Sequence, residues 1–167
     1  MKGIKSFGPN KRSKFEQGEF DQYNPKKYKG PRPIIYRSSW EKKFFIRMEM
    51  NPDVEWWSSE PFPIPYFMKE KNQSGKIVMV RHNYYPDVLV KMKDKIIDGK
   101  LVIGKTFLIE IKPNNQVPLN ESMMRRDPVM YKNSCKWSAA IKYCKNQQNM
   151  EFKLITETHL DLKTKIL

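Results

Sequence analysis

The 167-residue chain has only two cysteines, Cys135 and Cys144. They fall nine positions apart in one expected helix, so neither a disulfide nor a zinc site follows from them. Both are expected to be packing residues in a reducing compartment. No apolar run approaches the roughly 20 residues that cross a bilayer. The lysine-bearing N-terminus has no apolar core of the signal-peptide type, so neither export nor a membrane partner is expected. Acid is scarce as well: 18 Asp and Glu face 32 Lys and Arg, a formal charge of +14. Such a surplus suggests a polyanionic partner, nucleic acid before a membrane surface. There is no internal repeat and no second core. The length suits one domain large enough to bury a core of its own, with a tail.

What is present centres on residues 84–112. Tyr84-Tyr85-Pro86-Asp87-Val88-Leu89-Val90 is expected as a short strand led by an acid. After a polar, Gly-containing stretch, Phe107-Leu108-Ile109-Glu110-Ile111-Lys112 is expected as a strand ending in Glu-x-Lys. Side chains alternate along a strand, so Phe107, Ile109 and Ile111 share a core face and Leu108, Glu110 and Lys112 share the other. If the two strands pair, Asp87, Glu110 and Lys112 meet at one place.

The flanking chain predicts an α/β arrangement. Residues 1–33 hold nine Lys and Arg against three Asp and Glu, with sparse, aperiodic apolar residues. They are expected as a basic, extended N-terminal arm, and residues 34–167 as the single domain. A helix is expected from Ser38 to about Met50, where Asn51-Pro52 breaks it. Ser38-x-x-Glu41 fits a capping box. Yet Phe44, Phe45 and Met48 follow Glu41 at helical spacing, which aims Glu41 along the buried stripe, where a metal is one possible partner. Strands are expected at 54–58 and 62–67, and again from 77 through His82 and Asn83 into 84–90. Trp56, Trp57, Phe62, Tyr66 and Phe67 are expected as sheet packing, with base stacking as the alternative for one or two. Residues 92–105 predict a hairpin and 114–126 a polar loop. Asp127-Pro128 opens a helix to about Asn146 with a buried stripe of Trp137, Ala140, Ile141 and Cys144. Residues 151–156 predict a last strand, and 159–167 a short helix. Lys132 and Lys136, four apart on one helix face, are candidate phosphate contacts, as is Arg37; a solvated face is equally open. His82 is a candidate proton carrier or ligand.

Two carboxylates beside an ammonium make a hard-cation site suited to Mg²⁺ or Mn²⁺. A cation held by Asp87, Glu110 and Glu41 would activate water against a phosphodiester, with Lys112 beside the developing charge. The bland alternative is a Glu110–Lys112 surface ion pair worth about 0–1 kcal/mol, with Asp87 capping a turn.

Pro86-Asp87 followed by Glu110-Ile111-Lys112 resembles the signature of the PD-(D/E)XK nuclease superfamily. More narrowly, the runs from Tyr36 to Glu41, Tyr84 to Val90, Ile109 to Pro113 and Phe152 to Glu157 are similar to those of TnsA-type transposase endonucleases. Arg37-Ser38 before Trp40-Glu41, then Trp56-Trp57-Ser58-Ser59-Glu60 and Ile64-Pro65-Tyr66, resembles the head-completion nucleases of T-even-type tailed phages. The match runs over roughly residues 34–160. The resemblance implies a restriction-endonuclease-like core, a mixed central sheet flanked by helices. It implies an active site of Glu41, Asp87, Glu110 and Lys112, with the three acids as metal ligands. It also implies a Mg²⁺- or Mn²⁺-dependent nuclease acting on packaged DNA, with portal, neck or head proteins as partners and no small-molecule cofactor. The implied setting is the host cytoplasm during phage assembly, with retention in the virion open. Two alternatives stand: a structural DNA- or portal-binding protein without essential catalysis, and a transposase- or restriction-type endonuclease needing a partner subunit.

Overall fold

The computed structural model describes residues 16–160. In chain order the elements are β1 (Gly18–Glu19), β2 (Ile35–Tyr36), α1 (Ser39–Met50), β3 (Val54–Ser59), β4 (Ile64–Lys71), β5 (Ile77–Tyr84) and β6 (Val88–Met92). There follow β7 (Lys95–Ile97), β8 (Lys100–Val102), β9 (Thr106–Ile111), α2 (Glu121–Arg126), α3 (Pro128–Lys145) and β10 (Met150–Ile155). Short 3₁₀ turns lie at Asn114–Gln116 and Glu157–His159.

The organising sheet has strand order β10-β9-β6-β3. The β10–β9 pair is parallel, and β9–β6 and β6–β3 are antiparallel, so the sheet is mixed as expected. Alternation along the strands gives it two apolar faces. On one, Val88, Val90, Phe107, Ile109 and Ile111 pack with Phe44, Phe45 and Met48 of α1 and with Trp57. On the other, Leu89 and Leu108 pack with Ala140 and Cys144 of α3 and with Ile64, Tyr66 and Tyr84. Each fully buried large side chain contributes about 1.5–3 kcal/mol, so two such layers account for the sandwich.

Local chemistry sets the helix starts. Ser38 caps α1 by accepting the Glu41 N–H, and Asp127 caps α3 with Pro128 at its first position. Both agree with the sequence pattern.

Several expectations need correction. The run expected as continuous from 77 to 90 is broken at Tyr85–Asp87: β5 pairs with β4 in a separate two-stranded ribbon, while β6 enters the main sheet. Pro86 supplies no N–H for a ladder and restricts Tyr85, which favours a break there. The expected arm divides. Its first fifteen residues lie outside the described residues. Residues 16–33, however, lie on the domain: Phe20 and Tyr28 are buried in the α1-side core, and β1 pairs with β2. Aromatic burial against Trp57 and Phe45 outweighs the sparse apolar content. The polar loop expected at 114–126 contains α2, capped by Asn120. Ile141 and Phe67, expected in packing, are exposed. The short helix expected at 159–167 lies mostly outside the described residues, which end at Leu160; a 3₁₀ turn, Glu157–His159, leads up to it.

Gly104 lies where β8 returns to β9, and a Cβ there would collide with the Met92 and Lys93 carbonyls. Both obstacles are backbone and cannot swing aside. Gly104→Ala is expected to destabilise the fold by about 1–3 kcal/mol, read as a lower midpoint in urea unfolding.

Candidate active site

The break at Tyr85–Asp87 delivers an acid to the main sheet. Val88 pairs with Ile109 and Leu89 with Leu108. One step further along this antiparallel register, Asp87 faces Glu110. Like charges directly opposite each other are unfavourable in a sheet, so the pair needs outside support. Asp87 obtains it by accepting the Ile111 N–H at 2.6 Å, its side chain taking the place of a ladder partner. Its own carbonyl accepts the Glu60 N–H at 3.0 Å, which ties it to the end of β3.

Glu110 is 1% exposed. Its Oε2 accepts the Tyr84 hydroxyl at 2.6 Å, and its Oε1 lies 2.9 Å from the Lys112 ammonium. Glu110 and Lys112 share a face because they are two apart in an extended strand. The Lys112 N–H continues the parallel ladder to the Ile155 carbonyl at 2.9 Å. Sequence reasoning missed Tyr84 as a site residue; its place beside Pro86-Asp87 was visible, but its hydroxyl partner was not.

Glu41 opens α1. Its Oε2 accepts the Arg37 N–H at 2.8 Å and its Oε1 the Ser38 hydroxyl at 3.1 Å, while its own N–H donates to Ser38 Oγ. The reciprocal bond of the expected capping box therefore reaches the residue before the cap. Glu41 caps the helix and also lies within the field of Lys112 and Asp87.

The electrostatics agree with this geometry. Burial first, then the charges of Glu110 and Glu41, push the Asp87 carboxyl well above the ordinary aspartate range, against Lys112 and the Ile111 amide. Burial also lifts Glu41, partly offset by its bonds and by Lys112. Burial works against the Lys112 ammonium, but Asp87, Glu110 and Glu41 outweigh it and raise its pKa. Burial raises the Tyr84 phenol strongly, with Glu110 adding to it, which keeps it a hydrogen-bond donor.

Among the described residues, no three His, Cys, Asp or Glu side chains stand as a ready-made metal cluster. The donor set nevertheless fits a hard divalent ion. Asp87 and Glu110 are oxygen donors whose mutual repulsion, with Glu41 adding to it, is the strain a cation would relieve.

The basic candidates fare differently. Lys136 is half-buried on α3, its ammonium 5.4 Å from the centre of the Tyr84 ring. Burial lowers its pKa, countered in part by Glu110 and Asp87. Lys132 is exposed one turn earlier. Arg37 is engaged by Glu60 through two nitrogens at 2.9–3.1 Å, an exposed pair. His82 belongs to the β4–β5 ribbon, with its Nε2 2.9 Å from Glu70 and its ring stacked on Tyr66. Cys144 is buried and Cys135 partly so, as packing residues should be.

A mixed sheet between helices, with Pro-Asp at a strand break opposite Glu-x-Lys, defines the class: an α/β endonuclease fold of the PD-(D/E)XK type. The model of the TnsA-like endonuclease N-terminal domain matches residues 51–157. The chain is also similar to the head completion nuclease of Enterobacteria phage T4, 32% identical over 155 residues that span 86% of this chain and 92% of that protein. The chain belongs to the TnsA-like endonuclease family. The matched residues include Asp87, Glu110 and Lys112; Glu41 falls before the domain match but within the described fold.

A carboxyl whose pKa is higher in the folded state costs stability as pH rises from its unfolded value to its folded one. Below about pH 3.9, the unfolded aspartate value, both states are protonated and the cost vanishes. In chelator, Asp87→Asn is therefore expected to melt higher than wild type at pH 7, with the gain shrinking towards pH 4. A gain of about 1 kcal/mol would appear as about 2–4 °C. Added Mg²⁺ should raise the wild-type Tm more than the variant's.

Proposed function

We propose that this nuclease is a divalent-metal-dependent deoxyribonuclease with Asp87, Glu110, Lys112 and Glu41 as its active site. The observation that carries the reading is the Lys112 ammonium 2.9 Å from Glu110, which follows the Val88–Ile109 pair that Asp87 precedes and whose charge acts on Asp87. Asp87 and Glu110, with Glu41 beside them, would hold Mg²⁺ or Mn²⁺, which when bound supplies Lewis acidity and an acidified water. The chain's own groups do the rest. Lys112 sets a positive charge beside the phosphorus as negative charge develops. Tyr84 and the Ile111 amide hold Glu110 and Asp87 in orientation. Lys136, and Lys132 one turn away, bind flanking phosphates on the α3 side.

The likeness to the head completion nuclease supports a role in phage head completion; we extend this to head–tail joining on packaged DNA, with portal, neck or head proteins as partners. The host cytoplasm during assembly is the corresponding place of action. No described helix is long and apolar enough to cross a membrane.

Plasmid cleavage by the purified chain should require Mg²⁺ or Mn²⁺ and stop in chelator. Asp87→Ala, Glu110→Ala and Lys112→Ala should each reduce it by about 10²–10³-fold or more. Cleavage retained in Asp87→Ala and Lys112→Ala would sink the assignment. Tyr84→Phe, which removes only a hydroxyl that orients Glu110, should cost about 10–100-fold and raise the Mg²⁺ concentration needed for half-maximal rate.

A further inference from the structure

The β4–β5 ribbon stands outside the main sheet, and its two faces differ sharply in chemistry. One face, with Ile64, Tyr66 and Tyr84, is buried in the α3-side core. The ribbon's acid, Glu70, alternates onto that side: it pairs with Val78 in the register, and its carboxylate lies 2.9 Å from His82 Nε2. The outer face carries Lys69 and Lys71 on β4 and Arg81 on β5, and no carboxylate. Among the described residues, none of these three cations is in an ion pair. Between them stand Phe67, 56% exposed, and Met79, 60% exposed. Phe67 pairs across the ribbon with Arg81, and Lys69 with Met79. A face free of acid, with unpaired cations alternating with bare apolar side chains, is a poor solvent surface and a good polyanion surface.

We propose that the outer face of this ribbon is a duplex-DNA contact surface, an inference that rests on the reading of the chain as a DNA nuclease. Lys69, Lys71 and Arg81 meet phosphates, and Phe67 and Met79 pack against sugar and base edges. A two-stranded ribbon fits the major groove, which is about 12 Å wide. Eight residues per strand give this one a reach of about 26 Å. The ribbon is tied to the chemistry, because β5 ends at Tyr84, the residue that holds Glu110. Charge complementarity favours DNA over a protein occupant. The β7–β8 hairpin provides a contrast: it too exposes apolar residues, Ile96 and Leu101, but Asp94 and Asp98 interrupt its lysines.

The test is binding of a fluorescein-labelled duplex to the full chain in chelator, by anisotropy from 50 to 200 mM salt, as about one unit of salt slope reports each phosphate contact. Lys69→Ala/Lys71→Ala/Arg81→Ala should weaken binding and reduce the slope of log K against log salt by about 2–3, with an unchanged Tm. Phe67→Ala should weaken binding without changing the slope. A control of equal charge, Lys95→Ala/Lys100→Ala/Lys105→Ala, should lower the slope by less than half as much. Equal losses in both triple variants would reduce the effect to net charge and overturn the proposal. So would an unchanged slope in the ribbon variant while wild type binds and cuts, and a particle-assembly defect in that case would point to a protein occupant. Wild type that neither binds nor cuts duplex would instead bring down the nuclease reading beneath it. Should the triple variant fail to fold, Lys71→Glu at the ribbon's end reads the same slope.

Discussion

Two carboxylates face each other across neighbouring strands, and the molecule is arranged to tolerate them. Asp87 and Glu110 oppose one another in the β6–β9 register, on a sheet packed from both sides. Their repulsion is unfavourable in water and worse when water is excluded. Three groups offset it: the Ile111 amide on Asp87, and the Tyr84 hydroxyl and Lys112 ammonium on Glu110. The sheet positions Ile111 and Lys112 at the end of β9, while Tyr84 comes from the separate ribbon. Lys112 is anchored through its amide to β10, and Tyr84 by burial against α3. Loss of register in this sheet would therefore cost the site before it cost the core.

The strain is consistent with a site built to receive a positive charge. Buried acids that serve only stability are usually balanced by cations or donors. Here the balance remains incomplete, since Asp87 stays hard to ionise despite the Lys112 charge. Glu49 makes the contrast. It is buried but accepts the Trp57 indole N–H and the Asn24 amide, both at 2.6 Å, and Lys27 binds the carbonyl of the same residue. That acid is satisfied and structural. Asp87 and Glu49 thus differ through their partners.

Proline has a similar double part. Pro86 interrupts the run expected as one strand from 77 to 90, and the two halves enter different sheets. Its first consequence is to bring Asp87 to the end of β6, where the side chain can substitute for a backbone partner. Its second is to free β4 and β5 as an independent ribbon. One local restriction thus shapes both the acid site and the surface that projects from it. Pro65, within β4, is tolerated because a two-stranded ribbon leaves an edge free.

Much of this was legible in the chain itself. Period-two alternation placed Phe107, Ile109 and Ile111 against one core and Leu108, Glu110 and Lys112 on the other face, because the geometry of a strand is local. The Ser38 and Asp127 caps were equally local. The family signature located the acids. Only the tertiary structure decided the rest, because it depends on contacts between distant residues. Pairing register brought Asp87 opposite Glu110, 23 positions away in sequence. The Tyr84 hydroxyl found Glu110, Glu60 took up Arg37, and Phe20 and Tyr28 drew residues 16–33 onto the core. Neither hydropathy nor spacing encodes a hydroxyl's partner or which side of a ribbon is covered; packing against α3 settles both.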